Sequence, residues 1–256
     1  MFGVACGLRP NQSSRFCAVK ILMLKTLWRW LWRSIALVII LVLAYELWIF
    51  AHVWWYVDHN PGATAFMERR LVLLQEKMGE DAALKHRWVP YEKISINLKR
   101  ALIAAEDAKF LAHEGFDIEG IEKALKKNEK KGKVVAGGST ISQQLAKNLF
   151  LSGERSYVRK GQEAIITLML EQMMPKRRIL EIYMNVIEWG EGVYGAEAAA
   201  RHYYRSSAAG LSAYQAARLA AMVPRPRYFE KRPNSPYLAR QAATIEARMV
   251  QVSVPK

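Results

Sequence analysis

The chain has 256 residues, 52% of them hydrophobic, so it is long enough to bury a sizeable core in one or two domains. Its formal net charge of +15 suits nucleic acid, an anionic membrane or a phosphorylated substrate equally well. The sequence contains no Walker motif, which argues against a P-loop nucleotide-binding enzyme. Both cysteines, Cys6 and Cys17, lie near the N-terminus, so we expect the rest of the chain to fold without disulfides.

An apolar run from Ile35 to Val57 dominates the N-terminal part of the sequence. It is long enough to cross a bilayer and contains no Lys or Arg, so we predict a transmembrane helix over residues 34–57. Glu46 costs about 3 kcal/mol at mid-membrane, which the surrounding aliphatic residues outweigh. Tryptophans flank the run at both ends, as in interfacial aromatic belts. The alternative interpretation is a buried core helix.

The charges around the run predict its orientation. Six Lys or Arg residues and no acidic residue precede it, so residues 1–33 should remain in the cytoplasm and the remainder should lie on the periplasmic side of the inner membrane. A cleavable signal peptide is the rival, but no small-residue cleavage site follows the run. Met23 is a second plausible start, which leaves open whether residues 1–22 belong to the native protein.

Beyond the run, residues 58–87 are predicted to form a linker and a membrane-proximal helix, and residues 88–256 a globular domain. Strand signals are nearly absent, so the expected class is mainly α. The basic helix over residues 64–78 lies either on the bilayer or on the core. The basic segment 128–135 is either a solvated loop or a mobile flap that meets an anionic ligand. Periodicity predicts further helices over 95–113, 139–151, 158–174, 175–189, 195–204 and 211–222.

Two carboxylates with different surroundings are the candidate catalytic pair. Glu106 follows an apolar stretch, which predicts partial desolvation and a pKa raised toward the range of a general base. On the predicted helix ending at His113, it should share a face with Phe110 and His113. Glu163 follows Arg159 and Lys160 by four and three residues, so it should stay ionised beside these cations. Two solvated helix carboxylates would be the plain alternative.

Between these carboxylates, a Gly-Gly-Ser-Thr turn, residues 137–140, leads into a predicted helix. Its free backbone N–H groups, with Ser139 or Thr140 as the cap, would form an anion site. Cations further along the chain indicate a polyanionic leaving group such as pyrophosphate, with a divalent cation. His113 lacks the second histidine of a zinc helix, so no metal ligands are predicted. The polar residues of the helix suit a phosphorylated sugar; they are Gln143, Gln144, Lys147 and Asn148.

Four segments, in this order and spacing, carry a family resemblance: AAEDAKFLAHEGFD, GGSTISQQLAKN, RKGQE and RRILEIYMNVIEWG. Together they resemble the bacterial peptidoglycan glycosyltransferase family, over roughly Trp88 to Arg227. Bifunctional members add a transpeptidase domain, but its Lys-Thr-Gly motif is missing here, so no transpeptidase activity is expected. The chain departs from the family pattern at Met184 and at Tyr203 to Ser206.

The resemblance implies a lysozyme-like, two-lobed helical fold and a reaction that joins lipid II into β-1,4-linked glycan strands, releasing undecaprenyl pyrophosphate. Glu106 would deprotonate the acceptor hydroxyl, and Glu163, the second catalytic residue, would help to hold the pyrophosphate and the donor sugar. Mg²⁺ or Mn²⁺ would assist the pyrophosphate. The expected partners are lipid II, the growing glycan strand, the cytoplasmic membrane and other cell-wall synthesis proteins, but not nucleic acid. The substrate-binding residues would be Asp107, Phe110, His113, Ser139, Thr140, Gln143, Gln144, Lys147, Asn148, Arg159 and Lys160.

Two other functions are compatible with parts of the sequence. A lysozyme-like enzyme that cleaves peptidoglycan would use Glu106 as an acid, but it would need no pyrophosphate site. A non-catalytic, membrane-tethered scaffold would use only the basic surface of the chain.

Overall fold

The computed structural model describes residues 12–133, 137–154 and 156–256, with side chains from residue 23 onward. These ranges form eleven α-helices and one small sheet, which confirms the mainly α prediction. The strands are β1 (Lys85–His86), β2 (Glu188–Gly190) and β3 (Val193–Tyr194). The helices are α1 (Gln12–Asp58), α2 (Ala65–Met78), α3 (Ile96–Glu106), α4 (Ile118–Lys131), α5 (Ile141–Phe150), α6 (Tyr157–Met173), α7 (Lys176–Val186), α8 (Ala196–Tyr204), α9 (Ala213–Met222), α10 (Pro226–Glu230) and α11 (Pro236–Met249).

The chain divides into two units, Met1–Ile49 and Phe50–Lys256. Helix α1 includes the predicted transmembrane run, and its part Met23–Asp58 is long and apolar enough to cross a membrane. It therefore fits a membrane anchor near the N-terminus. The predicted boundaries at residues 33, 57 and 87 are finer than this division and stay a prediction.

Two groups of helices form the core of the second unit: α3 packs with α9 and α11, and α5 packs with α6 and α7. Small side chains allow the first group to approach closely, since Ala101, Ala216 and Ala242 are fully buried. The predicted apolar stripe of α7 is confirmed, because every member is buried: Ile179, Leu180, Tyr183, Met184 and Ile187. Helix α2 packs on α5 and buries Met67 and Leu74, so the core-packed alternative holds for that face.

The small sheet has the order β1-β3-β2, with β1 parallel and β2 antiparallel to β3. Gly195 follows β3 with a φ of +83°, and a Cβ there would lie 2.7 Å from the carbonyl oxygen of Asn185. Asn185 is itself fully buried at the end of α7. Its amide joins α7 to the segment after β1, because Oδ1 accepts from Val89 N and Nδ2 donates to Val89 O, both at 2.9 Å.

The prediction that the helix at residues 95–113 reaches His113 was wrong, because α3 ends at Glu106. Asp107 leaves the helical conformation and its carboxylate accepts hydrogen bonds from the backbone N–H of Ile141 and from His113. These tertiary contacts outweigh the local helical pattern. Glu106, Phe110 and His113 therefore do not share one helical face.

Other boundaries also differ from the prediction. Helix α4 was not predicted; it takes in Asn128–Lys131 of the presumed loop and ends at Gly132 in the left-handed conformation. Val134 and Val135 of that loop lie outside the described residues. The predicted helix 175–189 stops at Val186, and its last residues belong to β2. Helices α10 and α11 were missed.

Replacing Asn185 by alanine should destabilise the second unit, because both backbone groups of Val89 lose their buried partner. At about 1–3 kcal/mol for each unsatisfied group, the two groups together cost about 2–6 kcal/mol, and we expect the melting temperature to fall by roughly 4–24 °C. Thermal unfolding followed by circular dichroism measures this change. Asn234→Ala, at an exposed turn, is the matched control and should shift the midpoint by no more than about 2 °C. Equal midpoints for the two variants would contradict the bridging role.

Candidate active site

Glu106, the last residue of α3, faces α5 and accepts the last of two consecutive hydrogen bonds that begin at Tyr183 and pass through Gln144. Gln144 Nε2 donates to Glu106 Oε2 at 2.7 Å, and Tyr183 Oη donates to Gln144 Oε1 at 3.0 Å. Tyr183 is fully buried, and burial raises its pKa well above the ordinary value, with the nearby Glu106 and Asp107 charges adding to the effect. Its hydroxyl therefore remains a donor and fixes which end of the Gln144 amide faces Glu106.

Burial of its carboxylate raises the pKa of Glu106, although part of the residue remains accessible. The hydrogen bond from Gln144 and the charge of Lys147 lower that pKa, whereas the charge of Asp107 raises it, and burial is the largest effect. This agrees with the desolvation predicted from the apolar sequence before Glu106. A carboxylate with a raised pKa can accept a proton more readily than a solvated one.

A network centred on Asp107 joins the end of α3 to the start of α5. His113 Nε2 lies 2.9 Å from Asp107 Oδ1, and Ile141 N donates to Asp107 Oδ2 at 3.0 Å. His113 Nδ1 accepts from Gly115 N at 3.1 Å, so in neutral His113 the proton lies on Nε2, which donates to Asp107. Thr140 Oγ1 donates to Gly115 O at 2.6 Å and closes the network.

The Gly-Gly-Ser-Thr turn ends in the predicted cap of α5. Thr140 is the N-cap, and its hydroxyl accepts from Gln143 N at 3.2 Å, while Gln143 Oε1 accepts from Thr140 N at 3.0 Å. Both residues are buried, and these hydrogen bonds occupy their side chains. Ser139, in contrast, is exposed next to the helix N-terminus. The turn thus presents Ser139 and backbone groups, with a favourable helix dipole, to an anion.

Glu163 lies buried in α6 among cations, as its spacing predicted. Arg159 Nη1 donates to Glu163 Oε2 at 2.7 Å, and Lys160 Nζ pairs with Oε1. Lys160 also lies 3.5 Å from Ser139 Oγ, which places the cations beside the turn. Burial lowers the pKa of Lys147, and the charges of Arg159 and Lys160 lower it further, whereas Glu163 and Glu106 oppose the shift.

A cleft of about 240 Å³ connects these parts of the site. Its lining includes Glu106, the turn 137–140, Asp117 and Arg248. The structure therefore brings the candidate base and the anion-binding turn to one cavity. The cation cluster, which consists of Lys147, Arg159 and Lys160, adjoins this cavity at Ser139. Sequence reasoning missed Asp117 and Arg248. Asp117 caps α4, which was not predicted, and Arg248 lies in α11 without a local motif.

The remaining predicted ligands have mainly internal contacts. Phe110 is buried beneath Lys176, whose Nζ lies 4.7 Å from the centre of the ring. Asn148 Nδ2 donates to Gln144 O at 2.8 Å within α5. With Asp107, His113, Thr140 and Gln143, these side chains support the site from within the protein, and substrate contact by any of them stays a prediction.

The residues of the site do not fit a resident divalent cation. Among the described residues, no group of three His, Cys, Asp or Glu side chains could hold a metal ion. Glu163 has an Arg or Lys donor on each oxygen, and Asp107 accepts from His113 and Ile141. A hard divalent ion needs several free oxygen ligands, which this cation-rich cluster does not offer.

Comparison with known proteins agrees with the resemblance found in the motifs. A protein-family model described as Transglycosylase matches residues 73–250. The chain is 60% identical over 233 residues to the "Biosynthetic peptidoglycan transglycosylase" of Thiobacillus denitrificans, covering 91% of this chain and 100% of that protein. It is 63% identical over 224 residues to the protein of the same name from Methylobacillus flagellatus, covering 88% and 97%. The chain therefore belongs to the transglycosylase family.

Proposed function

We propose that the chain is a peptidoglycan glycosyltransferase that polymerises lipid II into β-1,4-linked glycan strands and releases undecaprenyl pyrophosphate. One observation carries the proposal: the cleft has a carboxylate with a raised pKa, Glu106, and an anion-binding turn adjoining cations. A sugar transfer from a pyrophosphate donor needs both a base and a cationic site for the leaving group. The names of the similar proteins support the same substrate class.

Glu106 would act as the general base. Its carboxylate accepts the proton of the acceptor's 4-hydroxyl while that oxygen attacks C1 of the donor sugar. The bond between C1 and the pyrophosphate oxygen breaks, and attack from the opposite side inverts the configuration at C1. Gln144 donates to one carboxylate oxygen, so the other oxygen is the one that takes up the proton. The product proton then returns to solvent from Glu106.

The cation cluster would stabilise the charge that develops on the departing pyrophosphate. Arg159 and Lys160 are held by Glu163, so their positive charges are positioned before the substrate binds. Lys147 lies within electrostatic reach of both Glu106 and Glu163. Ser139 and the N-terminus of α5 add hydrogen-bond donors. Glu163 thus serves the site as a positioning carboxylate, and the Mg²⁺ or Mn²⁺ predicted from the sequence would be carried by the pyrophosphate itself.

A glycan-cleaving enzyme is a poorer fit to this arrangement. In an inverting glycosidase, one carboxyl group protonates the leaving oxygen and a second, free carboxylate activates a water molecule. In a retaining enzyme, the second carboxylate must be free to attack C1. Both oxygens of Glu163 pair with cations instead. A cluster of three cations would also have no partner on a neutral glycosidic oxygen. The reaction with lipid II therefore uses more of the site than hydrolysis would.

A lipid-linked substrate requires that the cleft lies at a membrane. Besides the apolar helix α1, α6 exposes large apolar side chains on one face: Val158 is 85% exposed, Ile165 44% and Leu168 49%. Such a face supports contact with acyl chains or head groups. We propose that α1 anchors the chain in the cytoplasmic membrane with residues 1–33 inside and the catalytic unit on the periplasmic side.

Glu106→Gln should abolish polymerisation of purified lipid II, with a rate loss of about a hundredfold or more, because the amide cannot accept the proton. Folding should be preserved. Because burial raises the pKa of Glu106 in the folded state, ionisation of this carboxylate destabilises the folded protein as the pH rises through that pKa. Glutamine carries no charge and avoids this loss, so the melting temperature of the variant near pH 7.5 should not fall. Glu114→Gln, at an exposed site eight residues on, is the matched control. Full activity of Glu106→Gln, or digestion of glycan by the wild type without synthesis, would overturn the proposal.

Tyr183→Phe should move the acidic limb of the pH–rate profile to higher pH. Without the Tyr183 hydroxyl, the Gln144 amide is no longer fixed, and the hydrogen bond that lowers the pKa of Glu106 weakens. The base is then protonated at a higher pH, and its activity is lost sooner on acidification. Tyr203→Phe, which removes a hydroxyl that donates to Trp189 O, should leave the limb in place. If the acidic limb of the pH–rate profile is unchanged in Tyr183→Phe, Tyr183 does not orient the Gln144 amide as proposed.

The proposed topology can be tested with the two native cysteines of the full chain. In intact spheroplasts, a membrane-impermeant maleimide should leave Cys6 and Cys17 unlabelled until detergent is added. A cysteine introduced at exposed Glu122, in a cysteine-free background, should react without detergent. Labelling of the native cysteines in intact cells, or protection of Glu122→Cys, would reverse the assigned orientation.

A further inference from the structure

We propose that Arg178 is a positioning residue, which joins the last turn of α1 to α7 and thereby sets the height of the catalytic cleft at the membrane surface. This inference rests on the proposed function and topology, since it concerns how the cleft meets a lipid-linked substrate. Arg178 lies at the start of α7, next to Arg177, and sequence analysis assigned it no role.

The last turn of α1 is capped from a distant part of the chain. Helix α1 ends at Asp58 and has no basic residue in its last turn, although the final carbonyl groups of a helix lack partners within the helix and attract cations. Arg178, 122 residues from Tyr56, provides the cation, and its Nε donates to Tyr56 O at 3.0 Å. Its Nη2 donates to His59 O at 2.7 Å and to Asn60 Oδ1 at 3.0 Å. One guanidinium therefore binds both the end of α1 and the start of the linker.

The Arg178 side chain is itself held in place on α7. Its Nη1 donates to Glu181 Oε2 at 3.0 Å, and the guanidinium carbon lies 5.6 Å from the centre of the Trp88 ring. Only 12% of the side chain is exposed. Because the donors of a guanidinium point in fixed directions, these hydrogen bonds define both the distance and the orientation of the two helix ends.

A second contact joins the end of α1 to α5. Phe150, the last residue of α5, stacks on Tyr56 with a centroid distance of 6.1 Å, and His52 meets the same ring edge to face at 6.5 Å. Helix α5 begins at the anion-binding turn, and α7 carries Tyr183, whose hydroxyl donates to Gln144. The end of α1 therefore contacts two of the helices that form the site.

The same part of α1 carries the predicted interfacial aromatic residues. Trp54 is 63% exposed and Trp55 49%, and exposed tryptophans at the end of a membrane helix lie at the level of the lipid head groups. The pyrophosphate of a lipid-linked substrate lies at this level too, because it is charged and its tail is apolar. Since Arg178 binds Tyr56, next to these tryptophans, they would set the height at which the cleft meets the pyrophosphate.

The test gives the full chain, reconstituted in phospholipid vesicles, two substrates: undecaprenyl lipid II in the bilayer and a water-soluble analogue with a short prenyl chain. Arg178→Gln should lower the initial rate with membrane-bound lipid II about tenfold, because the cleft is no longer held at the level of the pyrophosphate. Its rate with the soluble analogue should stay within about twofold of the wild type, since that substrate reaches the cleft at any height. Arg177→Gln removes the same charge from the adjacent residue, which pairs with Glu92 instead, and should show no such selective loss.

The outcomes separate this inference from the proposed function. If the wild type polymerises neither substrate, the proposed function itself fails. An unchanged rate of Arg178→Gln with membrane-bound lipid II, or an equal loss with both substrates, would refute the positioning role and leave the polymerase assignment intact. A selective loss in Arg177→Gln as well would show an effect of charge alone and would also refute it.

Circular dichroism verifies that each variant is folded. If Arg178→Gln does not fold, Arg178→Lys takes its place, because lysine keeps the charge but cannot reproduce the fixed fork of donors. The same selective loss is expected of Arg178→Lys, and equal rates of this variant and the wild type with membrane-bound lipid II would refute the role of the guanidinium.

Discussion

The site depends on one buried contact, the acceptance by Asp107 of the backbone N–H of Ile141. This contact ends α3 at Glu106 and sets the start of α5 beside it, so that the base and the anion-binding turn line one cleft. Loss of the Asp107 carboxylate would leave a buried N–H without a partner and free the turn from the end of α3. His113, whose ring accepts a hydrogen bond from Gly115 N, holds the carboxylate from the other side. The residues around the catalytic carboxylate are therefore largely structural.

The two carboxylates of the site have different roles because their neighbouring side chains differ. Glu106 has a single amide donor and sits where burial raises its pKa, so it is suited to taking up a proton. Glu163 has a cation on each oxygen and is suited to holding those cations in place. Lys147 lies between these environments, and its lowered pKa reflects burial first and the neighbouring cations second. A polyanionic leaving group bound in the cluster would stabilise the charged form of Lys147 and so oppose the lowering of its pKa.

Local features of the sequence predicted much of this arrangement. The spacing of Glu163 from Arg159 and Lys160 placed the three on one helical face, and the apolar residues before Glu106 indicated its desolvation. The stripe of α7 and the cap at Thr140 were likewise readable from short-range patterns.

Features that depend on distant contacts were not predictable in this way. Asp107 ends α3 through a partner 34 residues away, so the periodic pattern through His113 overextended the helix. The Tyr183 hydroxyl reaches Gln144 across 39 residues, and a buried tyrosine in an apolar stripe gives no local sign of that role. Arg248 reaches the cleft only because α11 packs on α3 and α9.

The central claim is that Glu106 is a base whose pKa is raised by burial. Infrared difference spectra of the full chain, recorded as a function of pH against Glu106→Gln, measure the titration of that carboxyl directly. The account predicts a carboxyl band that titrates above the ordinary glutamate value of about 4.3 and shifts further upward in Tyr183→Phe. A Glu106 band that titrates at or below the ordinary value would contradict it.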